Sequence, residues 1–164
     1  MENILASGAM KLAGLNVPAH NPYRLKGRGD MLPLSSQKAI DILSKNPKGF
    51  FLMIEGSQID WAGHDNDSLH LIDETLDFDK AVGLALDFAQ KDGHTLVVIT
   101  ADHETGGVTI TDGDLNHNIV VEFSTGGHSA VMVPVYAYGP GAEKFTGIYD
   151  NTAFFTKFLE LYGF

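Results

Sequence analysis

Carboxylates and histidines in this sequence gather where apolar runs end. Glu55 directly follows Phe50-Phe51-Leu52-Met53-Ile54, and Asp60 and His64 come five and nine residues later in Glu55-Gly56-Ser57-Gln58-Ile59-Asp60-Trp61-Ala62-Gly63-His64. Asp102 and His103 directly follow a second apolar run, in Thr100-Ala101-Asp102-His103-Glu104-Thr105-Gly106-Gly107. Oxygen and imidazole donors suit Zn²⁺, and neighbouring carboxylates suit Mg²⁺. Asp60 and His64 are spaced i,i+4, so one helical turn can aim both at a single ion. Asp102 and His103 are adjacent and cannot share a helix face, but in a strand-end loop both can turn inward. Gly106 and Gly107 would supply the tight backbone this needs. His128 sits in the glycine-rich stretch Thr125-Gly126-Gly127-His128-Ser129-Ala130 and is a candidate third histidine ligand. Each fragment alone has an ordinary reading: a surface Asp-x-x-x-His, a cap, an acid satisfied by backbone donors. Together they point to a metal site.

These residues need elements to hold them. Ser35 or Ser36 is placed to cap a helix running to about Lys45, ended by Asn46-Pro47-Lys48-Gly49. The continuous apolar run Phe50 to Ile54 reads as a strand buried on both faces. Ser68 is placed to cap a long helix to Lys91, with Leu71, Phe78, Val82, Ala85 and Ala89 as its apolar stripe and Asp92-Gly93 closing it. Thr95 to Thr100 reads as a second buried strand. Val108 to Thr111 and Ile119 to Phe123 read as shorter strands around a turn at Asp112-Gly113-Asp114. Val131 to Tyr138 forms a further strand, with Pro134 arguing for an edge or a bulge. Asn151 is placed to cap a last helix through Leu161. Helices alternating with buried strands indicate an α/β sandwich, in which ligands bind beyond the carboxyl ends of strands. Residues 1–34 are rich in Gly, Pro and Asn and read as an irregular arm before a second region, 35–164.

Composition narrows the chemistry. The chain has 164 residues, 21 acidic and 11 basic, a formal net charge of −10 and no cysteine. The acid excess argues against general nucleic-acid binding, which needs a basic surface. The absence of cysteine excludes thiolate zinc, Fe–S clusters, disulfides and a cysteine nucleophile. No apolar stretch is long enough to span a membrane, and no export signal is legible after Glu2 and Lys11. Phosphate-loop, dinucleotide-loop, nucleophile-elbow and His-Glu-x-x-His templates all fail. His20, His94 and His117 lie in polar or turn contexts and read as solvated. His70, near the start of an amphipathic helix, reads as surface. Arg24, Lys26 and Arg28 read as a solvated loop, and Arg28-Gly29-Asp30 as a chance tripeptide.

The three motifs Glu55 to His64, Thr100 to Gly107, and Gly127-His128 followed by Val133-Pro134-Val135-Tyr136-Ala137-Tyr138-Gly139-Pro140 resemble the C-terminal half of an alkaline phosphatase in order and spacing. The resemblance covers roughly residues 35 to 162, and the arm shares little with it. It implies a three-layer α/β/α sandwich with a mostly parallel or mixed sheet, incomplete in this chain. It also implies roles residue by residue. Asp60, His64 and His128 match the ligands of one catalytic zinc. Asp102 and His103 match two ligands of a second zinc, and Glu55 matches one ligand of a magnesium. Such paired metals clamp the attacking and leaving oxygens of phosphoryl transfer, and a phosphoserine intermediate divides the reaction into two displacements.

The departure from the family is equally specific. Alkaline phosphatases carry their nucleophile in an Asp-Ser-Ala motif, and no Asp-Ser-Ala occurs here. Asp67-Ser68 is followed by Leu69 and comes after the zinc motif, and Ser129 follows a zinc histidine. The expectation is therefore one part of a phosphate-monoester hydrolase, inactive alone, from an exported parent of the periplasm or another extracytoplasmic compartment. Uncovered sheet edges predict a homo-oligomer or a domain-swapped assembly. Two alternatives stand beside it: a non-catalytic metal-binding or assembly module, and another member of the metal-dependent phosphatase and phosphomutase superfamily.

Overall fold

A computed structural model describes residues 5–8, 10–14, 17–116 and 118–164. Among the described residues the main α-helices are α1 (Met31–Leu43), α2 (Gln58–His64), α3 (Ser68–Asp92) and α4 (Ala153–Tyr162). The strands are β1 (Val97–Thr100), β2 (Glu104–Thr105), β3 (Thr109–Gly113), β4 (Ile119–Glu122), β5 (His128–Ser129) and β6 (Val135–Tyr138). They pair as three two-stranded antiparallel ladders, β1 with β6, β2 with β5 and β3 with β4. The α/β class expected from the sequence holds, with its sheet incomplete. No ladder among the described residues is parallel.

The run Phe50 to Ile54 is the main departure. It forms no strand ladder among the described residues, and Phe51 and Met53 are 59% and 80% exposed. Its apolar character is that of a buried strand, but a strand exists only where a neighbour accepts its hydrogen bonds. It lines instead one wall of a cleft of ≈ 1390 Å³, opposite β1 and the Leu71, Phe78 and Val82 stripe of α3. The chain exposes 11128 Å², against about 8,000 Å² for a compact monomer of this mass. The fully buried apolar core is small: Ile40, Ala62, Ala81, Ala89 and Phe145.

Helix α3 begins one residue earlier in its capping than expected. Asp67, not Ser68, is the cap, and its carboxylate accepts the His70 N–H at 3.0 Å. Gly93, at φ 71°, closes the helix as expected. Helix α1 starts at Met31, so Ser36 is not its cap. The Ser36 hydroxyl is inside the helix and donates to the Leu32 carbonyl. Helix α4 starts at Ala153, behind Thr152 rather than Asn151.

A second face of α3 is buried as well, and it is polar. Glu74 and Asp77 are each 1% exposed and His70 2%. Arg28 donates to Glu74 at 2.7 Å and to Asp77 at 2.8 Å, and Arg24 donates to Asp73 at 2.6 Å. The Arg24 backbone N–H also donates to Glu74, and the Tyr23 ring packs tilted against the His70 ring, centroids 3.4 Å apart. The solvated reading is thus corrected for Arg24 and Arg28, as is the surface reading of His70, while Lys26 is exposed as expected. The arginines are held by acids 46 to 50 residues away, where a buried charge demands a partner. Arg28-Gly29-Asp30 has its arginine committed to this cluster. His20 and His94 are exposed, as expected. His117 lies outside the described residues.

Candidate metal centre

Helix α2 projects Asp60 and His64 from one face, and the Asp60 Oδ2 and His64 Nε2 atoms lie 3.5 Å apart. The short β2–β5 ladder sets Thr105 opposite His128 and Glu104 opposite Ser129. This pairing brings a residue 64 positions distant beside His64: the two Nε2 atoms are 3.2 Å apart, and His128 Nε2 is 3.6 Å from Asp60 Oδ1. One donor atom from each of the three residues falls within 4.8 Å of the other two. A tetrahedral zinc with bonds of about 2.0–2.2 Å has donor atoms about 3.3–3.6 Å from one another. His64 approaches one Asp60 oxygen and His128 the other, and the separations of 3.2 to 3.6 Å lie close to that edge length.

The donor chemistry also fits. His64 Nδ1 faces the Gly126 carbonyl at 2.8 Å. A carbonyl only accepts, so Nδ1 carries a proton, and in the neutral tautomer this leaves the Nε2 lone pair on the side of Asp60 and His128. Lone pairs and a carboxylate converging on one point call for a cation. A backbone carbonyl that fixes a ligand's tautomer is the usual outer partner of a metal-bound histidine.

Close backbone approach makes this convergence possible. A Cβ on Gly63 would stand 2.8 Å from the Thr105 carbonyl oxygen, and one on Gly106 would stand 2.9 Å from the Gly63 oxygen. Gly106 and Gly107 have φ of 94° and 59°, a region open chiefly to glycine. The Gly106 N–H donates to the Gly127 carbonyl at 2.8 Å, tying the His128 loop to the loop after β2.

His103 lies beside the three-residue cluster, whereas Asp102, 86% exposed at the side chain, is paired with His103 and not with the cluster among the described residues. His103 Nε2 is 3.3 Å from Asp102 Oδ2, and the His103 ring stacks on His128 with centroids 3.6 Å apart. Glu55 lines the same cleft as Asp60, Asp102 and His103. It is exposed, and no ion pair joins it to them among the described residues. Two supporting residues escaped the sequence reading. Glu104 accepts from the Ser129 hydroxyl and from the Val108 N–H, so it clamps β2 to β5. Burial alone raises its carboxyl pKa, but these bonds, with backbone donors from Gly107 and Ser129, outweigh it and hold the group below the usual carboxylate range. Ser129 is thereby occupied as a structural donor. Thr105 donates to Asp60 and lies 3.3 Å from His103 Nδ1. Its spacing from His103, two residues along an extended chain and so on the same side, was the available signal.

Comparison with known proteins identifies the family. The family model described as alkaline phosphatase matches residues 2–121. It includes the N-terminal arm, which by motif had shared little, and ends before His128. Alkaline phosphatase 4 of Bacillus subtilis (strain 168) is 36% identical, over 70% of this chain and 40% of the relative. The alkaline phosphatase of Escherichia coli (strain K12) is 38% identical, over 78% of this chain and 31% of the relative. The solved alkaline phosphatase from the Antarctic bacterium TAB5 superposes with a TM-score of 0.80 at 50% identity, covering 87% of this chain and 44% of that one. A histidine variant of the TAB5 enzyme has Mg bound in its M3 site. The chain belongs to the alkaline phosphatase family. It spans less than half the length of each of these relatives.

Proposed function

We propose that this chain supplies metal-binding residues to a phosphate-monoester hydrolase that works through a phosphoserine intermediate. Asp60, His64 and His128 would hold one zinc, three protein donors being the number a catalytic zinc site uses. Asp102 and His103 would provide two ligands of a second zinc, and Glu55 one ligand of a magnesium. When bound, such ions supply Lewis-acid polarisation of a phosphoryl oxygen and neutralise its charge. The protein's own part is to aim the donors. Helix α2 orients Asp60 and His64, the Gly126 carbonyl sets the His64 tautomer, and the Glu104–Ser129 bond fixes the strand that carries His128.

The observation that carries this reading is the convergence of Asp60, His64 and His128 at spacings that suit one tetrahedral ion. The site opens to solvent, with His64 35% and His128 46% exposed at the side chain, so an anionic ester can reach it. No residue of the chain fits the nucleophile, so the isolated chain would not turn over. The longer parent would act outside the cytoplasm, as the family resemblance implies. Zinc titration by calorimetry, with and without His64→Ala and His128→Ala, tests the ligand set. Each substitution should weaken the tightest Zn²⁺ event at least tenfold, and equal affinity in all three proteins would remove it. Metal-dependent turnover of an aryl phosphate by this chain alone would overturn the assignment of the nucleophile elsewhere.

A further inference from the structure

We propose that Thr105 is a positioning residue whose single hydroxyl links the ligands of the two zinc positions; this rests on the ligand set proposed above. The hydroxyl donates its only proton to Asp60 Oδ1, because a carboxylate only accepts. Toward His103 Nδ1, 3.3 Å away, the same oxygen therefore accepts. His103 must then carry its proton on Nδ1. In the neutral tautomer Nε2 is then the atom able to ligate, and it lies 3.3 Å from Asp102 Oδ2.

The result is one directed chain: His103 Nδ1–H to Thr105 Oγ1, and Thr105 Oγ1–H to Asp60. At one end it fixes which oxygen of Asp60 remains for the ion shared with His64 and His128. At the other it selects the His103 tautomer that can ligate. Its direction follows from there being one hydroxyl proton and a carboxylate terminus. The residue is held rigidly for this task. Its backbone is in β2 opposite His128, and its carbonyl oxygen and side chain pack against Gly63, next to His64. Moving Thr105 would shift donors at both positions together.

Outer partners of metal ligands are worth about 10- to 100-fold in metal affinity. Thr105→Val keeps the shape and removes the hydroxyl, and Thr105→Ser keeps the hydroxyl. In zinc calorimetry on the full chain, T105V should lose about 10-fold or more in the tightest event, and T105S should stay within about threefold of the parent. A role in packing alone predicts the reverse order, since valine fills the space better than serine.

A second readout needs no metal. In ¹⁵N NMR of the metal-free chain, His103 should be the Nδ1–H tautomer in the parent and in T105S, and should lose that bias in T105V. An Nε2–H tautomer in the parent overturns the relay, as does unchanged zinc affinity in a folded T105V. If T105V fails to fold, the parent's tautomer and the T105S affinity decide. If the parent binds no zinc, the proposed ligand set falls, and the tautomer still decides the relay.

Discussion

The buried arginine cluster makes a demanding prediction about stability. Arg28 is 5% exposed at the side chain and bridges Glu74 and Asp77, at 2% and 0%. Arg28→Met retains much of the apolar stem and removes the charge. Glu74 then keeps only the Arg24 backbone N–H at 2.7 Å and His70 Nε2 at 3.7 Å. Asp77 keeps Arg24 Nε at 3.4 Å and Lys80 Nζ at 3.8 Å, neither within good hydrogen-bond geometry. Breaking a buried pair by removing one partner costs about 3–5 kcal/mol, because a charge is left without compensation. The remaining cations near Asp77 place the expectation at about 3 kcal/mol, toward the lower end. At roughly 2–4 °C per kcal/mol for a chain of this size, the melting temperature should fall by about 6–12 °C. Urea denaturation followed by circular dichroism would measure the free-energy loss, and a thermal scan the shift in melting temperature. Adding Glu74→Gln and Asp77→Asn to R28M should recover a substantial part of the loss, because the orphaned charges are gone. A loss under about 1 kcal/mol for R28M alone, the range of a surface pair, would refute the view that the arm is fastened to α3 through this cluster.

Three further outcomes are expected. Gly106→Ala sets a Cβ 2.9 Å from the Gly63 oxygen at φ 94°; it should destabilise the chain by about 2 kcal/mol and weaken zinc binding with it, both readable in one calorimetric series. The Asn118 side-chain amide, then the Asn118 and Asn116 backbone donors, hold the Asp114 carboxyl below its ordinary pKa. A depressed folded value means the turn is favoured fully above about pH 4 and loses that contribution as pH falls through the folded pKa; Asp114→Asn should remove this acid dependence from amide exchange across the β3–β4 turn. Light scattering should give a mass above 17.7 kDa that rises with concentration, since the chain exposes 11128 Å² and leaves the Phe50 to Ile54 run unpaired; a clean monomer at high concentration would count against self-association.

Local rules made a good part of this protein legible. The i,i+4 spacing of Asp60 and His64 became one face of α2, because a helix is defined by bonds within its own turn. The 68–92 helix and its Gly93 stop followed from capping and periodicity. Glycine at 106 and 107 marked a backbone that other residues cannot adopt. Other features were not legible because their causes lie far along the chain. The run Phe50 to Ile54 has the composition of a strand, but strand formation needs a neighbour that local pattern does not reveal.

What the sequence determined by itself was therefore the inventory and the short-range geometry: which donors exist, which share a turn, and where the chain can bend. Only the tertiary structure decided which donors meet. It set His128 against His64 through the β2–β5 ladder, paired Arg24 and Arg28 with the acids of α3, and placed Thr105 between Asp60 and His103. The physical reason is range. Backbone propensity acts over a few residues, whereas lone pairs, charges and ladder hydrogen bonds are satisfied by whatever folding brings within about 3 Å.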